Sequence, residues 1–117
     1  MLDKILDGIV TTVQGTRGVI LLDGEGESIA QAGDRTVDMK LLGAWKEIHL
    51  DHVREIAGRL NMGAVRAVLF SVDEGNELMV PVSGEYCLLL LLSAYAPLQD
   101  VLAGLQPALE GLRKEVE

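Results

Sequence analysis

Five successive leucines at residues 88–92 constrain this chain more than any other stretch. A strand sends alternate side chains to opposite faces, so an unbroken apolar run is stable only where both faces are covered. The surrounding greasy segment, through residue 98, falls well short of the ~20 residues needed to cross a bilayer. Ser83-Gly84-Glu85 before it is a turn sequence. Residues 86–93 are therefore expected to form a central strand with a layer of structure on each side.

The rest of the chain supplies the partners that such a strand needs. Leu2, Ile5, Leu6, Ile9, Val10 and Val13 recur at three- and four-residue steps and predict an amphipathic helix over 2–14. Residues 19–22 are continuously apolar, Asp23-Gly24-Glu25-Gly26 can turn, and 28–32 return as a second strand of a hairpin. Val65, Val68, Phe70 and Val72 favour a strand within 64–72, and 78–82 form the next after an acidic turn. Pro81 donates no ladder hydrogen bond, which predicts a bulge or a strand end nearby. Ala96-Pro97 opens a last helix with one apolar face, bent at Pro107. The short turns between the last three strands require antiparallel pairing. The expected fold is an α/β (α+β) sandwich in one domain over 1–117, in the order helix, two strands, helix, three strands, helix.

Between the hairpin and the later strands lies a stretch, 37–60, with more apolar surface than a small domain can hide. At about 100° per residue, Leu41, Leu42, Ala44, Trp45, Ile48, Val53, Ile56 and Leu60 cover roughly half a helical cylinder. Lys40, Glu47, Asp51, Arg54 and Glu55 share the other side. Asp34, Thr36 or Asp38 can cap its start, and Asn61 and Gly63 can end it. A helix of this kind meets its own sheet with one edge and a second molecule with the other. Only 3% of the residues are aromatic, so Trp45 stands out, as core filler or as a partner's anchor.

Composition narrows the class of partner. With 18 acidic against 10 basic residues and a formal charge of -8, the chain is poorly suited to nucleic acid or anionic lipid. The lone Cys87 excludes an intramolecular disulfide and fits a reducing compartment. The N-terminus lacks a secretion signal. These features predict a cytoplasmic protein with neither nucleic-acid contact nor direct membrane insertion.

Motifs for chemistry are absent or incomplete. No glycine-rich loop opens a helix with lysine and a hydroxyl residue at phosphate-cradling offsets. Gly24-Glu25-Gly26 lacks a third glycine and leads into a strand. His49 and His52 stand three apart, but no nearby cysteine completes a zinc site. Ser71, Ser83 and Ser93 have no nucleophile-elbow context, and the paired carboxylates lie in exposed turns. Arg17, Arg35, Arg54, Arg59 and Arg66 include no position that spacing selects as an arginine finger. The expectation is no catalytic residue, no metal and no cofactor.

Several ordered features together resemble the Roadblock family, which includes roadblock-type dynein light chains and bacterial regulators of Ras-like GTPases. They are Gly18-Val19-Ile20-Leu21-Leu22-Asp23-Gly24-Glu25-Gly26 followed by Ile29-Ala30, the long second helix, Leu78-Met79-Val80-Pro81-Val82, Gly84-Glu85-Tyr86-Cys87-Leu88-Leu89-Leu90, and the helix begun by Ala96-Pro97-Leu98. The resemblance spans nearly the whole chain. It implies a five-stranded antiparallel sheet with the long helix on one face and the terminal helices on the other. It also implies a homodimer that pairs the second helix and third strand with those of a second copy. Carried onto this chain, those contacts fall on Leu41, Trp45, Ile48 and His52 of the helix and on the strand Arg66 to Phe70, including Val68. The implied function is non-catalytic binding of a small Ras-like GTPase, since bacterial members of the gliding-motility type are GTPase-activating proteins. A structural adaptor that dimerises without affecting GTP hydrolysis is the alternative.

Overall fold

The computed structural model describes residues 2–34, 38–73 and 75–116; within these, the side chains of residues 39–41 are outside the description. The elements are α1 (Leu2–Thr12), β1 (Thr16–Leu22), β2 (Ser28–Gly33), α2 (Met39–Arg59), β3 (Val68–Val72), β4 (Gly75–Ser83), β5 (Tyr86–Leu92) and α3 (Leu98–Val116). All five strands join one antiparallel sheet in the order β2-β1-β5-β4-β3. The leucine-rich β5 is central, as its two-sided apolar sequence requires. The architecture is the expected α+β sandwich.

Each face of β1 and β5 feeds a different core. Val19, Leu21, Leu88, Leu90 and Leu92 point toward α1 and α3, where they meet Leu6, Ile9, Leu105, Leu109 and Leu112. Ile20, Leu22, Cys87, Leu89 and Leu91 point the other way and meet Leu50 of α2. α3 continues through Pro107 as one helix. In α1, the hydroxyls of Thr11 and Thr12 donate to carbonyls of the preceding turn at Asp7 and Gly8, which accommodates weak helix formers at its end. No helix among the described residues is long and apolar enough to cross a membrane.

Local signals decide where elements stop. α2 ends in a Schellman motif: the Met62 amide donates to the Ala57 carbonyl, the Asn61 amide to that of Gly58, and Asn61 takes φ 55°. At its start the Asp38 carbonyl accepts the Leu42 amide, and Asp34 is engaged by Arg17 at 3.2 Å. Thr36 and Val37 lie outside the described residues. The β4–β5 register shifts between Pro81 and Ser83, where proline predicts it. β3 begins later than the sequence suggested. Its register, Val68 opposite Met79, would place Arg66 opposite Pro81, which has no N–H to give, and the ladder stops before that point.

Candidate functional site

The site is built on how α2 sits over the sheet. Gly43 rests on Leu22 so closely that a Cβ there would lie 2.5 Å from Leu22 Cδ2. Gly26, at φ 81° in the β1–β2 turn, similarly lies under Ala44 and Glu47. Asp23 shapes that turn by accepting the amides of Glu25 and Glu27 through Oδ1. These close approaches fix the roll of the helix. Leu50 is fully buried and Glu47 is only 4% exposed.

This roll corrects the expected wheel. The sheet-facing side is not an edge of the apolar half but the side assigned to polar residues, centred on Gly43, Glu47 and Leu50. Trp45 (58% exposed), Ile48 (49%) and Ile56 (57%) point away from the protein's own core, and His52 is exposed among them. With about 100° per residue, these four fall within roughly 80°, about half a turn from the buried side. The helix shows its grease outward and tucks a carboxyl inward. Each large side chain so placed forgoes ~1.5–3 kcal/mol available from full burial.

β3 lies at the edge beside this ridge, with β4 as its only neighbour in the sheet among the described residues. Val68 and Phe70 turn toward α2 and pack against its core, whereas the alternating Leu69 faces the other side and is 42% exposed. Val72, at the end of the strand, is also exposed. Lys46 ties strand and helix together. Its Nζ lies 4.0 Å from the centre of the Phe70 ring and 2.9 Å from Glu77 Oε2 on β4, an ion pair by distance without aligned hydrogen-bond geometry. His49 adds a tilted ring contact to Phe70 at 5.7 Å.

The expected site residues therefore occupy different environments. Trp45, Ile48 and His52 share the outward ridge, Val68 and Phe70 are held beneath α2, and Arg66 precedes β3 in an exposed loop. The Leu41 side chain lies outside those described. Ile56 and Val72 extend the exposed apolar surface, Leu69 is exposed on the opposite face of β3, and all three were absent from the expected set. Ile56 had a signal in its four-residue spacing from His52, and Leu69 in its alternation with Val68 and Phe70.

Burial pushes the Glu47 carboxyl from its ordinary 4.5 up to about 7, reinforced by Asp51 and Asp23 and opposed by Arg54. Its Oε2 has no hydrogen-bond partner among the described residues and lies buried beneath the helix. Burial, with a smaller contribution from Glu47, also pushes the Cys87 thiol up to about 12, which suppresses the nucleophilic thiolate. No three His, Cys, Asp or Glu side chains among the described residues are grouped to hold a metal.

No family model and no curated protein matches the sequence. Solved structures do match the fold. The Roadblock/LC7 domain from Streptomyces avermitilis is 19% identical with a TM-score of 0.90, covering 97% of this chain and 96% of that one. Myxococcus xanthus MglB is 16% identical with a TM-score of 0.90, covering 98% and 94%. The gliding protein MglB from Thermus thermophilus is 16% identical with a TM-score of 0.84, covering 97% and 86%. This chain has the Roadblock fold.

Proposed function

We propose that this chain is a non-catalytic, cytoplasmic regulator that works as a homodimer, binds a small Ras-like GTPase and modulates its nucleotide cycle. The observation that carries the reading is the outward apolar ridge of Trp45, Ile48 and Ile56 beside the open edge of β3. An unpaired strand edge next to exposed apolar side chains is a template for a second copy. Such a contact can be self-complementary about a two-fold axis, extending the sheet while facing helices cover their ridges. The shared fold with MglB, and the sequence resemblance to regulators of Ras-like GTPases, support the GTPase as the further partner. A dimer of this kind contributes by favouring one switch conformation of the GTPase, with no nucleophile of its own.

The test combines oligomeric state with turnover. Light scattering should give a dimer, and titration into a Ras-like GTPase should change its hydrolysis rate. Trp45→Ala should weaken the association that its ridge supports by at least about tenfold, with unchanged circular dichroism, because a buried interfacial tryptophan is worth ~2 kcal/mol or more. A strictly monomeric protein at high concentration, or association indifferent to Trp45→Ala, overturns the reading. GTPase binding without any change in hydrolysis assigns the protein to the structural adaptors instead.

A further inference from the structure

A second surface lies across the sheet from α2. Where β3 stops, β4 runs on without a neighbouring strand on that side among the described residues, and a groove of about 500 Å³ opens between the loop before β3, the end of β4 and α3. Val80, Pro81, Leu102 and Leu109 make its apolar lining, and Arg66 and Arg113 are its charged groups. No carboxylate is among the described lining residues. In a chain with 18 acidic and 10 basic residues, this is a local reversal of charge over an apolar floor.

The two arginines are placed differently. Arg113 Nε donates to the Val82 carbonyl at 2.9 Å, which holds the guanidinium against the strand end and leaves its other nitrogens without a described protein acceptor. That bond, and the missing amide of Pro81, oppose addition of another strand here. Arg66 is exposed and carries no ion pair among the described residues. An occupant must therefore engage side chains, with carboxylates for the guanidiniums and apolar groups for the floor. Polyanions such as nucleic acids would meet the repulsive field of the whole chain, whereas a short segment brings only a few charges.

We infer that this groove docks a short segment of a partner protein bearing both carboxylate and leucine-like side chains. The surface lies across the sheet from the α2 ridge, at the end of β3 where Arg66 precedes the strand. The inference does not depend on a GTPase as that partner.

The experiment uses the 15N-labelled full chain and two short synthetic peptides, one alternating leucine with glutamate and one alternating leucine with lysine. The acidic peptide should shift the amides of residues 65–67, Leu102 and Gln106, and the lysine peptide should not. Arg66→Glu, in an exposed loop, should retain the fold and lower acidic-peptide affinity by about tenfold, the worth of one charge-assisted hydrogen bond. Lack of any shift at about 1 mM acidic peptide, a level that registers even weak binding, overturns the inference. So do shifts confined to α2, equal affinity for both peptides, or binding indifferent to Arg66→Glu.

Discussion

The two faces of the sheet are covered by opposite strategies. On one, α1 and α3 insert Leu6, Ile9, Leu105, Leu109 and Leu112 into a continuous aliphatic core. On the other, α2 contributes Leu50 as its fully buried large apolar side chain and brings Glu47 with it. The first face is organised for stability of the folded chain. The second holds its helix by close glycine contacts and a few side chains, leaving the larger apolar groups outside. The helix that gives least to its own core has most to offer another molecule.

The contrast is open to attack by mutation. The largest effect should come from the aliphatic face, where Leu105→Ala should cost about 3–4 kcal/mol in urea denaturation; a loss under about 1 kcal/mol would remove the distinction. Next is Glu47. The folded chain raises its pKa from 4.5 to about 7, so it retains a proton that the unfolded chain releases. Its stabilising contribution is full below pH 4.5 and declines as pH rises through about 7, a change on the order of 3 kcal/mol. Denaturation curves at several pH values should show this slope in the wild type and its absence in Glu47→Gln. The smallest effect should be on the outer surface of α2, where Arg59 and Glu55 form an exposed pair at 2.7 Å. Arg59→Ala should change the unfolding free energy by under about 0.5 kcal/mol, and a larger loss would mean that α2 depends on its surface pairs.

Much of the fold was legible because its strongest signals are local. The leucine run at 88–92 could sit only in a covered strand, Pro81 marked the register shift, and Asn61 marked the end of α2. The roll of α2 was not legible. Amphipathic periodicity assumes that the apolar side turns inward, but here Gly43 and Gly26 allow close approach on the opposite side and draw Glu47 under the helix. Leu50, standing among polar residues on the wheel, is the side chain that anchors it. The candidate ridge was readable at Trp45, Ile48 and His52 as excess apolar surface. The separation of Arg66 from β3 was hidden because it depends on Pro81, fifteen positions later in the chain.

Cys87 lies in the core that α2 covers, with its thiol held in the protonated form. Peroxides and alkylating agents thus find no reactive sulfur while that helix stays in place. Oxidative damage at this position becomes a record of how often the lid has lifted.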